Sequence, residues 1–316
     1  MKILVTGSSR LIGSSLISYL KDQGIDVFGL SLTPSNAMKL KNIPSTVGNI
    51  LDKECITSCL KGCDGIIHLA AVSRVSFGEQ SQENCRRVNI EGTRNVVEAA
   101  LASPQKPWIL YSSSREVYGP QKIFPVKEDA CLAPQNTYAF SKLEGEKIIQ
   151  QAQEKGLRAC ILRLSNVYGT PYDYPDRAVP AFIKKALNNE TIHCVGAENI
   201  IDFTSIKDVV EAIYTAVLRL NAGKTLPPMN IASGKGLSLY QAAQGIIKLL
   251  ESPSKIIIHP GRSFDVKAYI GSNVCAREYL GWRPKTSFEE GVRNLAEDYK
   301  ALLSKTISPL KKRMVP

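Results

Sequence analysis

Two short stretches carry side chains that could exchange a proton with a carbinol oxygen. TYAFSK (137–142) sets Tyr138 and Lys142 four residues apart, and YSSSREVYG (111–119) sets three consecutive serines upstream of them. On a helix, residues i and i+4 share a face. A free phenol titrates near pH 10, and an adjacent ammonium lowers that by roughly one to three units. A tyrosine so tuned exchanges a proton with a carbinol oxygen near neutral pH, and a serine hydroxyl at an adjacent strand end can hold the same oxygen. A lone Tyr-x3-Lys pair more often decorates a helix surface, so its meaning depends on what else the chain supplies.

What it supplies first is a dinucleotide-type turn. TGSSRLIG (6–13) follows the apolar run KILV and opens the helical pattern LIGSSLISYLKDQG. Gly7 suits a tight turn, Gly13 suits close helix–strand packing, and the free N–H groups of a helix start suit a pyrophosphate. Arg10 occupies the middle position, where a third glycine is usual. An NAD site commonly adds an acid about 20 residues on, to hold the ribose 2′-hydroxyl. Here the second strand ends in LSLTPSN, Ser31 stands at that place, and no carboxylate occurs from Val27 to Leu51. A 2′-phosphate is then tolerated, with Arg10, Lys39 and Lys41 as candidate cations. The expected cofactor is NADP or NAD, with NADP favoured and Arg10 as a contact to its phosphate.

The elements that must hold these residues are legible as an alternation. KILVT, DVFGLSL, GIIHLAA, WILYSSS and LRACILRLS read as apolar strands; LIGSSLISYLKDQG, a long pattern over 83–102, and TYAFSKLEGEKIIQQAQEKG read as helices. Apolar strands joined by helices predict an α/β fold, a Rossmann-type doubly wound parallel sheet. After Asn166 the rhythm breaks at NVYGTPYDYPDRAVP, and helices over AFIKKALNN, 207–220 and 238–251 accompany one short strand, TIHCV. The expected organisation is a dinucleotide-binding domain over 1–170, with segments near 200–235 returning to it. A smaller C-terminal substrate-binding lobe covers 171–305, and 306–316 form a flexible basic tail.

Bulk properties exclude several classes. The 316 residues are 44% hydrophobic and 22% charged, which is ordinary for a globular protein. No run approaches the roughly 18 apolar residues of a membrane span, and no secretory signal opens the chain, so no membrane association and a cytoplasmic location are expected. The net charge of +11 is scattered, so a small anionic ligand is favoured over nucleic acid. Cys55, Cys59 and Cys63 recur at i, i+4, i+8 and read as small buried side chains on a packed helix face rather than as a metal site. The three histidines, His68, His193 and His259, read as structural, and no metal is expected.

Taken together, the ordered motifs TGSSRLIG, HLAA (68–71), VNIEGTRNVVEAA (88–100), SSSREVYG (112–119), Tyr138-x3-Lys142, LRLSNVYG (162–169) and LGWRP (280–284) identify the chain as resembling the extended short-chain dehydrogenase/reductases of the sugar-nucleotide epimerase/dehydratase kind. The resemblance implies Tyr138 as acid/base, Lys142 as the group that binds the nicotinamide ribose and depresses the Tyr138 pKa, and Ser114 as the holder of the substrate hydroxyl. It implies a cofactor site of Gly7, Ser9, Arg10, Leu11, Ile12, Gly13, Ser31, Asn49, Ile50, Leu69, Ala70, Ala71, Asn89, Ser112, Tyr138 and Lys142. On the substrate side it implies Ser73, Ser114, Arg115, Glu116, Asn166, Arg177 and Arg262 around a nucleotide sugar. A homodimer through the helices near 83–102 and 137–155 is also implied.

Departures from the family pattern narrow the reaction. Ile201 stands where the family often has an arginine for the substrate diphosphate, and PGRSFDV (260–266) matches a later Arg-x-Gly-Asp segment only loosely, which leaves Arg177 and Arg262 as substitute cations. Dehydratases of this kind place an acid and a base after the hydroxyl residue, whereas Ser114 is followed by Arg115 and Glu116. The favoured reaction is therefore epimerisation, at C4, through a transient keto sugar. An NADPH-dependent 4-ketoreductase is the alternative; a dehydratase and a non-catalytic NADP-binding protein are lesser ones.

Overall fold

The computed structural model describes residues 1–34 and 42–311, with side chains as far as Leu302. Lys39 and Lys41 lie outside the described residues. The strands in chain order are β1 (Lys2–Thr6), β2 (Asp26–Ser31), β3 (Ser45–Val47), β4 (Gly65–His68), β5 (Trp108–Ser114) and β6 (Ala159–Leu164). They continue as β7 (Asn166–Tyr168), β8 (Ile192–Val195), β9 (Ile200–Ser205), β10 (Met229–Ile231), β11 (Gly236–Ser238) and β12 (Ile256–His259). Seven form one parallel sheet in the order β10-β6-β5-β4-β1-β2-β3. Every residue of β4, β5 and β6 is buried, as a parallel sheet covered on both faces requires.

Alternate strand residues serve the two faces. Ile3, Val5, Ile67, Leu110 and Leu162 pack against Leu16, Ile17 and Leu20 of the helix Leu11–Asp22 and against Val209, Ile213 and Val217 of the helix Ile206–Asn221. Leu4, Ile66, Ile109 and Ile161 pack against Val96, Val97 and Ala100 of the helix Gly92–Ala102 and Ile149 and Ala152 of the helix Thr137–Glu154. Burying one such side chain is worth roughly 1.5–3 kcal/mol, so these two layers hold the sheet that carries the site. Cys59 and Cys63 belong to the second layer as free, buried thiols, and their burial pushes both pKa values up.

The chain leaves the sheet after β6 and comes back to it only at β10. Between and beyond, β11-β9-β7 form a three-stranded sheet and β12-β8 a two-stranded one. A separate apolar cluster, including Phe182, Ile183, Phe203, Ile246, Leu295 and Tyr299, holds this part together. The helix Phe288–Lys311 takes in residues 306–311, part of the stretch expected to form a flexible basic tail.

The long helix expected over 83–102 is interrupted. Helices Gln82–Arg86 and Gly92–Ala102 are joined by a π-helical stretch, Arg87–Glu91. The wider turn brings Asn89 inwards, where it accepts from Val72 N (2.7 Å) and donates to Val72 O (3.1 Å) and Ser141 Oγ (2.8 Å). Asn89 thereby fixes the loop after β4 to the helix that bears Tyr138.

Candidate active site

The glycine loop is built as its sequence suggests, and it explains why an arginine is tolerated there. Gly7 has φ +72°, a left-handed conformation that favours glycine, and a Cβ on it would stand 2.7 Å from Ala70 N. A Cβ on Gly13 would stand 2.3 Å from Gly7 O, so the helix can approach the loop only without one. Arg10, by contrast, has φ −103° and ψ −176°, extended backbone that any residue adopts. No side chain caps the start of the helix Leu11–Asp22. Gly7, Arg10, Leu11, Ile12 and Gly13 line the cleft, so this uncapped helix start borders it.

In the same cleft, of about 340 Å³, lie Ser114, Tyr138 and Lys142. Ser114 ends β5; Tyr138 and Lys142 follow the N-cap Asn136, whose Oδ1 accepts from Ala139 N at 2.8 Å. Lys142 Nζ donates to Ser112 O at 2.8 Å and stands 5.0 Å from the Tyr111 ring centroid. Burial disfavours its charge and pushes its pKa down to about 8. The Tyr138 phenol is pushed up to about 12, chiefly by burial; the Ser114 hydroxyl opposes this and the Glu116 carboxylate adds to it. The expected depression by Lys142 is thus not what the protein alone provides, because loss of solvent around the phenol outweighs the charges that face it.

Arg115 and Glu116 are both buried and paired. Arg115 Nη2 meets Glu116 Oε1 at 2.7 Å, Arg115 Nε donates to Asn166 Oδ1 at 3.1 Å, and Asn136 Nδ2 donates to Glu116 Oε2 at 3.2 Å. Both oxygens of Glu116 are therefore engaged. Neither oxygen is left without a partner from Arg115 or Asn136.

Most residues picked out in the sequence converge on this cleft, including Leu69, Ala71, Ser73, Ser112, Asn166, Arg177 and Arg262. Arg177 pairs with Asp173 (3.2 Å) and Arg262 with Asp265 (2.9 Å), while Ile201 presents an apolar surface beside them. Ser9, Ser31, Asn49, Ile50, Ala70 and Asn89 do not line it. Ser31 Oγ turns to Thr33 O (2.7 Å), Ser9 meets Thr33 Oγ1 (3.3 Å), and Asn49 Oδ1 accepts from Leu51 N (3.0 Å). Arg10 makes no hydrogen bond to Ser31 or Thr33; its guanidinium stands over the Tyr174 ring, 5.1 Å from the centroid.

The histidines divide. His68 is buried between Thr6 (2.7 Å) and Thr93 (3.0 Å), and burial pushes its pKa down to about 3, so it is a neutral structural bridge. His193 and His259 pair at 2.8 Å because β8 and β12 run side by side. Among the described residues no three or more potential metal ligands gather, and no helix is long and apolar enough to cross a membrane.

Sequence reasoning missed the group that seats the catalytic helix. Glu146 accepts from Ser113 Oγ and from Arg163 Nη2 (2.8 Å), and Arg163 Nη1 donates to Tyr118 Oη (2.9 Å) and Glu128 O (2.9 Å). Tyr118 Oη in turn donates to Asn230 Oδ1 at 2.7 Å. The network ties β5, β6, β10 and the helix Thr137–Glu154 together. Its signal was present: Glu146 continues the Tyr138–Lys142 face by four more residues, and Arg163 interrupts an apolar strand.

A doubly wound sheet with an uncapped glycine-loop helix facing a Ser–Tyr–Lys group defines a dinucleotide-dependent enzyme of the short-chain dehydrogenase/reductase class. Residues 3–232 match the NAD dependent epimerase/dehydratase family, and the chain belongs to it. An uncharacterized UDP-glucose epimerase of Bacillus subtilis is 32% identical over 93% of this chain and 96% of its own. The dTDP-D-glucose 4,6-dehydratase of mouse is 28% identical over 95% of this chain and 88% of its own. The UDP-glucose 4-epimerase of Thermotoga maritima, solved with UDP-glucose, superposes with a TM-score of 0.89 at 27% identity, covering 96% of this chain and all of that one.

Proposed function

We propose that the chain is a sugar-nucleotide epimerase acting at C4 through a transient keto sugar. The observation that carries this is the convergence of Ser114, Tyr138 and Lys142 on one cleft with the glycine loop. Epimerase and dehydratase relatives stand at comparable identity, so the choice between those reactions rests on the site. Glu116, the only carboxylate following Ser114 in this motif, has both oxygens tied up by Arg115 and Asn136. That arrangement favours hydride chemistry without elimination of water.

Ser114 holds the sugar hydroxyl, and Tyr138 takes its proton or returns it. Lys142 holds the nicotinamide ribose, and Leu11, Ile12 and Gly13 offer backbone N–H groups to the pyrophosphate. A bound nicotinamide supplies the hydride acceptor. Arg10 is a phosphate contact at the glycine loop. Its seat over Tyr174, without a hydrogen bond to Ser31 or Thr33, supports contact with the pyrophosphate more than with a 2′-phosphate. The preference for NADP then rests on Ser31, where no carboxylate repels a 2′-phosphate. That same feature supports the second reading, an NADPH-dependent 4-ketoreductase.

One assay separates the two. The purified protein is denatured, the released dinucleotide identified, and fresh protein incubated with UDP- and dTDP-hexoses. Stoichiometric dinucleotide and formation of the C4 epimer are expected. Protein that arrives empty and turns over only with added NADPH would replace the epimerase with the ketoreductase. The helices Gly92–Ala102 and Thr137–Glu154 pack side by side, with Phe140 exposed, which supports a homodimer on that pair. Sedimentation at twice the chain mass is expected, with Phe140→Asp shifting it to the monomer; a monomeric wild type would refute the assembly.

A further inference from the structure

The stretch between β7 and the helix Ala178–Leu187 lies against the cofactor half of the cleft. Two guanidinium groups stand over the ring of Tyr174: Arg10 from the glycine loop and Arg74 from the loop after β4, each 5.1 Å from its centroid. Phe77 packs edge-on against the same ring at 5.4 Å, and Arg74 also lies 4.7 Å from the Phe77 centroid and pairs with Asp176 at 2.8 Å. Asp173 Oδ1 accepts from Tyr174 N at 2.7 Å and pins the backbone of the stretch. Arg10, Arg74, Tyr174 and Asp176 all line the cleft.

The state of Arg10 is what makes this arrangement more than packing. Arg74 has a carboxylate partner in Asp176, whereas the Arg10 side chain has neither a hydrogen bond nor an ion pair among the described residues. A guanidinium over an aromatic face keeps its N–H donors free at its edge. Among the described residues the Tyr174 ring is the contact that the Arg10 guanidinium makes.

We infer that Tyr174 is a positioning residue for Arg10, holding its guanidinium over the phosphate end of the cofactor site. The stretch 170–177 and the dinucleotide are then coupled through Arg10: loss of the Tyr174 face frees the guanidinium and weakens its hold on the phosphate. This rests on Arg10 being a phosphate contact, and the test separates the two statements.

The rate of dinucleotide release is read by stopped-flow displacement of bound NADH or NADPH, followed by nicotinamide fluorescence, on the full-length protein. Tyr174→Leu keeps apolar volume against Phe77 but removes the π face. It is expected to speed release roughly 5- to 30-fold, with the thermal midpoint unchanged. Tyr174→Phe, which keeps the face, should release at the wild-type rate. In an Arg10→Gly background, Tyr174→Leu should add less than about twofold, because the contact is already gone. Wild-type release from Tyr174→Leu, or the same factor with and without Arg10, would overturn the positioning role. Unchanged release from Arg10→Gly alone would instead overturn the phosphate contact, and the proposal with it.

Discussion

Tyr138→Phe is expected to lower kcat by about 100- to 10,000-fold, the range set by loss of a positioned acid/base. Dinucleotide affinity should stay near the wild-type value, because Lys142 and the glycine loop are untouched. Tyr138 is buried, and a Cβ on Gly78 would come within 3.2 Å of its Cβ and N, so the residue is closely packed against the neighbouring helix. Phenylalanine fills that space equally, and the variant should fold normally. Turnover is read with the nucleotide sugar that the epimerisation assay identifies, and binding by dinucleotide fluorescence. The phenol of the protein alone is pushed up to about 12, so at neutral pH it stands as a proton donor. That state suits return of a proton to the keto sugar of the proposed reaction. A variant within about threefold of wild-type kcat would remove Tyr138 from the chemistry, since a positioned acid/base is worth far more than that.

The second large effect is on stability. Arg163 and Glu146 are both almost wholly buried, with side chains 4% and 1% exposed. Removing one partner leaves the other as an uncompensated buried charge, at about 3–5 kcal/mol. Glu146→Leu is expected to cost that much in urea unfolding, and Arg163→Met/Glu146→Leu together should recover most of it. The sign follows from the asymmetry between breaking a buried pair and replacing it. Arg163 retains Tyr118 Oη and Glu128 O as acceptors, which places the single-variant loss at the lower end of the range. A loss below about 1 kcal/mol, the scale of an exposed pair, would show that solvent reaches Arg163 when Glu146 is gone. The single variant should also lose activity, because Glu146 anchors the helix that presents Tyr138 and Lys142.

The gathering of Ser114, Tyr138 and Lys142 on one cleft was legible because its information is local. Tyr138 and Lys142 need only the helical repeat to share a face, and Ser114 needs only to end a strand. The sheet was legible for the same reason: apolar runs such as GIIH and ILRL declare strands buried on both sides. Contacts between distant segments were not legible. Arg10 stands over Tyr174, 164 positions away, across a lobe whose placement no local pattern encodes. His193 and His259 meet only because β8 and β12 are neighbours. The Tyr138 pKa went the other way from expectation because spacing reveals a neighbouring charge but not how much water the fold removes. Arg163 and Glu146 gave warning as charges at core positions, yet a sequence shows the misfit without naming the partner.

The outermost strand beside β6, and the helix Ile206–Asn221 that covers one face of the seven-stranded sheet, come from chain that has already passed through β7, β8 and β9 of the two smaller sheets. No single cut separates the large sheet from the smaller ones. A break in the stretch 170–177 would leave two fragments clasped by β10 and that helix, so the two parts are interleaved rather than strung end to end. Their melting should therefore be one event, the later chain acting as a staple through the large sheet.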